Sequence, residues 1–188
     1  MPPARRSPGS SPTWYRRLPP TLQRVAAASD RVTSLPFRPS GALLETVAAI
    51  PDALAGAKTV EVQVLAQRIA DGICTAFRVS RVRVKVAERR PHDQRGELHG
   101  LYTPGPTDTI TLWMFTAKRA QVVAARTFLR TLLHELCHHL DYTHLQLRDS
   151  LHTQGFYQRE SSLFAVLGAD RIDSARSVRY TRSADRAV

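Results

Sequence analysis

The sequence predicts an α+β domain, on three observations. Apolar residues recur at helical spacing over 58–77 and again from about 117 to 141. Between them, residues 82–86 alternate with period two, and 96–115 read as two short strands around a Pro/Gly turn. Helical spacing returns at 156–167. Strands gathered between helices, instead of alternating with them one by one, are the α+β pattern.

In chain order, the first of these helices carries Val60, Val64, Leu65, Ile69, Ile73 and Phe77 on its apolar face. In "RVSRVRVKVAE", Val82, Val84 and Val86 then face one way and Arg81, Arg83 and Lys85 the other, which describes a half-buried strand with a solvated basic face. "GELHGLYTPGPTDTITLWMF" reads as two short strands around a turn at Pro104–Asp108. His92 and His99 fall in this region without a ligand-type neighbour at a useful spacing, so both are expected at the surface. The second long helix places Val122, Ala125, Phe128, Leu129, Leu132, Leu133, Leu136, Cys137 and Leu140 around much of its circumference. Such a helix crosses the interior of a domain. The last helix, ended by Gly168, groups Phe156, Glu160, Leu163, Phe164 and Leu167 on one face.

A length of 188 residues suits one domain with a substantial core. The net charge of +11 lies mostly at the ends: +6 within 1–40, +2 within 169–188 and +3 in between. Residues 1–40, rich in Pro, Ser and Arg at their start, are expected to be a disordered basic tail. The folded domain is expected over 41–168 and a second basic tail over 169–188. Such tails hold polyanions weakly by counterion release, which makes nucleic acid a partner of the tails only. No apolar run suffices for a membrane span, and no apolar segment follows the N-terminal arginines as in a secretory signal. The two cysteines, Cys74 and Cys137, form no disulfide framework, in keeping with a cytoplasmic protein.

"TLLHELCHHLDYTH", residues 131–144, carries the chemistry. His134, Glu135, His138, His139 and Asp141 occupy the last turns of an otherwise apolar helix, and burying so many polar groups needs compensation. Helix positions four apart are offset by only about 40° around the axis, so His134 and His138 can grip one ion from one side. Glu135 is turned about 100° from His134, suited to accept a proton from a water on that ion. This is the H-E-x-x-H arrangement, in which two imidazoles bind a single catalytic Zn²⁺ and the glutamate is general base toward zinc-activated water.

The pattern resembles the zincin metallopeptidases, and the resemblance extends over about residues 78–168. It implies a small mixed or antiparallel sheet packed on a long H-E-x-x-H helix. It further implies a peptide or protein substrate paired with an exposed strand, here expected along 108–115. A third zinc ligand has three candidates. His144 would extend the motif in the manner of the metzincins, but Asp141 stands where those enzymes have glycine, and no methionine follows the motif. His152, fourteen residues after His138, leaves room for the chain to loop back to the ion. The pairing of H-E-L-C-H with the later H-T-Q-G-F resembles the SprT-like branch of zincins. That resemblance implies that His152 is the third ligand and Phe156 a packing aromatic. Glu160 shares the inward face of its helix and either ligates directly, as in gluzincins, or orients a ligating histidine.

Smaller expectations complete the reading. Asp141 either holds a histidine N–H or is a surface acid; His139 and Cys137 are structural; Tyr142 and Tyr157 are candidates for stabilising an oxyanion. The sequence therefore supports a zinc metallopeptidase, with a non-catalytic zinc-binding regulatory or nucleic-acid-associated module as the alternative.

Overall fold

A computed structural model describes residues 13–93, 96–169 and 172. A short 3-10 helix at Thr13–Arg17 precedes α1 (Pro20–Asp30), α2 (Gly41–Ala55) and α3 (Thr59–Phe77). Five strands follow: β1 (Arg83–Arg89), β2 (His92–Asp93), β3 (Gly96–Glu97), β4 (Gly100–Thr103) and β5 (Thr109–Phe115). The chain then forms α4 (Ala125–Thr143) and α5 (Gln154–Val166). The architecture is α+β, as expected. No helix among the described residues is long and apolar enough to cross a membrane.

The main sheet is mixed, in the order β1-β5-β4, with β5 parallel to β1 and antiparallel to β4. β2 and β3 form a separate hairpin. Ile110, Leu112 and Met114 of β5 are buried, as are Val82 and Val84, and they meet the apolar faces of α3 and α4. The two sheet edges are treated differently. On β1, the amides of Gln63 and Gln67 on α3 substitute for a neighbouring strand. They donate to Val84 O at 2.8 Å and Val82 O at 3.0 Å, and accept from Val86 N–H at 2.7 Å and Val84 N–H at 2.8 Å. That edge is closed to further pairing. β4 pairs only with β5 among the described strands, so it is the uncovered edge. The expectation that a substrate lies along 108–115 is corrected by this order. β5 is the central strand, with pairing partners on both sides, and β4 lies at the edge of the sheet.

Two other expectations change. The helix anticipated from about 117 begins at Ala125 and runs on to Thr143. Residues 121–123 instead pair with the end of β5: Val122 bridges Phe115 and the Val123 N–H donates to Met114 O at 2.8 Å. Val122 fitted a helical period by coincidence of spacing. The proposed tail boundary at residue 40 is also displaced. Residues 13–17 and 20–30 are helical, with Tyr15, Ala26, Ser29 and Leu35 buried. The signal overlooked was Pro20 at the first helical position, followed by enough alanine and leucine to form one packed helix. Residues 1–12 and nearly all of 170–188 lie outside the described residues, and the expectations on their disorder and polyanion contact fall there. Ala169 is buried and Ile172 packs against the core, so the domain runs slightly past residue 168.

Candidate metal centre

α4 crosses beneath the sheet, with Phe128, Leu129, Leu132, Leu133, Leu136 and Leu140 fully buried. This packing fixes the helix's rotation and turns His134, Glu135 and His138 toward a cleft of about 800 Å³. α5 closes the opposite wall. Thr153 caps its start by accepting the Phe156 N–H at 3.2 Å, which leaves His152 just outside the helix and facing α4.

The three histidines converge. His152 Nε2 lies 3.0 Å from His134 Nε2 and 3.0 Å from His138 Nε2. One ligand atom from each of the three lies within 4.8 Å of the others, and they form the only such group among the described residues. The fully buried Phe156 ring backs all three imidazoles, at centroid distances of 4.9, 4.7 and 5.0 Å.

Hydrogen bonding at the far side of the rings decides what faces inward. His134 Nδ1 lies 3.0 Å from Glu160 Oε2, an oxygen that only accepts, so Nδ1 is assigned the proton. His138 Nδ1 lies 2.7 Å from Ser150 Oγ. The Ser150 hydroxyl donates its one hydrogen to Asp141 Oδ2 at 2.9 Å, so it accepts from His138 Nδ1. Both Nε2 atoms therefore present lone pairs, and His152 Nε2 can donate to at most one of them. A divalent cation resolves the conflict. Three imidazoles about 2.0–2.1 Å from a tetrahedral zinc put their nitrogens roughly 3.3 Å apart, close to the spacing found. The donor set fits a metal ion with one position left open. Burial, followed by repulsion from the other two rings, lowers the His138 pKa to about 3 and keeps that ring neutral, as a ligand must be.

The carboxylates behind the three imidazoles are well held. Burial pushes Glu160 up, but hydrogen bonds from His134 and from Arg130, at 2.6 Å, outweigh it and keep the carboxyl below its usual range. Glu160 thus holds the His134 ring from the side away from the other two imidazoles. Asp141 is fully buried, accepts from Arg159 Nη2 at 2.9 and 3.0 Å through its two oxygens, and reaches His138 through Ser150. Of the two readings left open for Asp141, the surface acid is excluded.

Glu135 is only 6% exposed. Burial raises its pKa, against the pull of His134 and of the Tyr102 backbone N–H. β4 lies directly over it because Gly100 has no side chain: a Cβ there would fall 2.6 Å from both Glu135 Oε1 and Thr131 Cγ2.

The remaining candidates separate cleanly. His144 caps the end of α4 and packs on Phe77 at 5.2 Å, outside the triad. His139 is fully buried and bonds Ser80 O at 2.8 Å. Cys137 is fully buried, and burial pushes its thiol pKa well up. Tyr157 is half exposed and stacks on His152 at 5.8 Å, and Tyr142 packs on Tyr102 at 5.7 Å. His99 is exposed, and the His92 side chain lies outside the described set.

Arg159, Ser150, Arg130 and Gly100 escaped the sequence reading. Arg159 had a signal, since it lies three residues after Phe156 on an inward helical face and so needed a buried anion. Ser150 had none, because only the loop's path brings it to His138. Comparison with protein-family models, curated proteins and solved structures finds no match for this chain.

Proposed function

We propose that the chain is a zinc-dependent peptidase of the zincin type, closest in pattern to the SprT-like branch, with His134, His138 and His152 as ligands. The observation that carries this reading is the position of Glu135. It shares the cleft with three convergent nitrogens, stands outside their cluster, and has its proton affinity raised by burial. A purely structural metal site has no use for such a carboxylate and closes its coordination with four protein ligands.

Zinc, when bound, supplies Lewis acidity toward a carbonyl oxygen and acidifies water. Glu135 takes the proton of the attacking water on its carboxylate and returns it to the departing amine. The uncovered edge of β4 binds the substrate backbone as an antiparallel strand, which brings a peptide across the mouth of the cleft. Tyr157, half exposed beside His152, offers a phenol to a developing oxyanion. Water and substrate enter from the β4 side.

The test is Glu135→Gln in the zinc-loaded protein, assayed on denatured protein and on a mixed peptide library. Zinc content should stay the same while hydrolysis falls by about 10²–10⁴-fold. Unchanged hydrolysis removes the role of Glu135, and a zinc-loaded wild type that cleaves nothing favours the binding module.

A further inference from the structure

We infer that the docked N-terminal segment, residues 13–32, controls how tightly the three-histidine site holds its metal. The inference rests on the metal-centre reading of His134, His138 and His152.

The link runs through Arg159. Its side chain is fully buried, and its guanidinium joins two parts of the chain 130 residues apart. Nη1 donates to Ser29 O and Val32 O, both at 2.7 Å, where α1 ends. Nη2 donates to Ser29 Oγ at 3.0 Å and to the carboxylate of Asp141. Asp141 in turn fixes the Ser150 hydroxyl, and Ser150 fixes His138 in the tautomer whose Nε2 faces the metal position. Carbonyls at a helix C-terminus carry partial negative charge, so the end of α1 is a favourable partner for this cation. Without the segment, Arg159 loses its acceptors Ser29 O, Val32 O and Ser29 Oγ and keeps only Asp141, so nothing fixes the direction of its guanidinium. It would reorient, and Asp141 and Ser150 would follow.

A second tie reaches His152. Ser29 Oγ and Thr153 Oγ1 are 2.8 Å apart, and the Gly155 N–H donates to Asp30 Oδ1 at 2.7 Å. Tyr15 Oη donates to the other Asp30 oxygen at 2.8 Å. The segment thus grips the residues immediately after His152. Gly155 makes this possible: a Cβ there would overlap Ser29 O and approach Asp30 Cα to 2.7 Å. Two of the three ligands are therefore positioned from residues 13–32, whereas His134 depends on Glu160 and Arg130 within α4 and α5. Arg159, Asp141 and Ser150 are positioning residues in this scheme.

Affinity coupling is reciprocal, so metal must also tighten the docking. In the full chain, Arg24 and Arg31 are exposed on the segment and report its release to trypsin. Zn²⁺ affinity is measured by competition with a chromophoric chelator, and cleavage after Arg24 and Arg31 is followed with and without Zn²⁺. Zn²⁺ should slow that cleavage in the wild type. Gly155→Ala and Asp30→Ala, which weaken docking without altering a ligand, should speed cleavage and lower Zn²⁺ affinity by about 10–100-fold. Their Co²⁺-loaded forms should show altered visible absorption. If Zn²⁺ binds yet leaves wild-type cleavage unchanged, or if a variant with a released segment keeps wild-type affinity, this inference fails alone. If no Zn²⁺ binds at all, the metal-centre reading fails with it.

Discussion

Glu160 Oε2 sits 3.0 Å from His134 Nδ1, with Arg130 on the other carboxylate oxygen at 2.6 Å. Both oxygens of the glutamate are therefore engaged, one of them with the ring nitrogen that faces away from the other two imidazoles. Glu160→Ala should weaken Zn²⁺ by about 10–100-fold without abolishing binding, because it removes an orienting partner and not a ligand. His152→Ala should be far more damaging, since it removes one of three donors. Competition titrations of the two variants, side by side, check the order. The reverse order would make Glu160 the ligand.

The helix pattern and two of the three clustered histidines were legible in the sequence for the same reason, since both depend on fixed periods. His152, by contrast, was reached only through the resemblance carried by H-E-L-C-H and H-T-Q-G-F. His134 and His138 must share a face at a spacing of four, and Phe156, Glu160, Leu163 and Phe164 must share one on α5. What was not legible depends on non-local contact. The packing of α1 is decided by Arg159, about 130 residues further on. The closure of β1 is decided by two glutamines on α3 whose amides are polar residues like any others when read in one dimension. With β1 closed from that side, β4 is left as the uncovered edge, a fact that strand periodicity alone does not contain.

Gly100 carries a test of the cleft's geometry. Any Cβ there would meet Glu135 Oε1 and Thr131 Cγ2 at 2.6 Å, so β4 must move off α4 or Glu135 must turn. Gly100→Val should leave Zn²⁺ affinity within a few-fold of wild type, because the atoms nearest a Cβ there belong to Glu135 and Thr131 and not to the three histidines. Peptide hydrolysis should fall by at least about tenfold, as expected when a base is displaced by a fraction of an ångström or more. Metal titration and steady-state rates on the same preparation separate the two effects. Equal losses in both would mean that β4 supports the ligands as well.

Gln63 and Gln67 make a prediction about the sheet. Replacing Gln63 by Leu removes an acceptor from Val86 N–H and a donor from Val84 O, and leaves strand groups without partners. The cost should be about 1–3 kcal/mol in urea unfolding. The reopened β1 edge should also promote self-association at high concentration, which sedimentation detects. Replacing both glutamines should make the association worse.

Tyr15 gives the docked segment a pH signature. Burial, with a smaller contribution from its hydrogen bond to Asp30, raises the phenol pKa to about 12. The neutral phenol is thus favoured in the folded state relative to the unfolded chain, where the pKa is about 10. Its contribution to stability is complete below about pH 10 and disappears as pH rises through 12. Tyr15→Phe lacks the ionisation and also the hydrogen bond, so it should be less stable at pH 8 by about 1 kcal/mol. Between pH 10 and 12 the gap between wild type and variant should narrow, because only the wild type loses stability from this group. Urea midpoints of both proteins across that range check the sign. A gap that stays constant would show that Tyr15 is not buried against Asp30 in solution, and the docked segment would lose one of its supports.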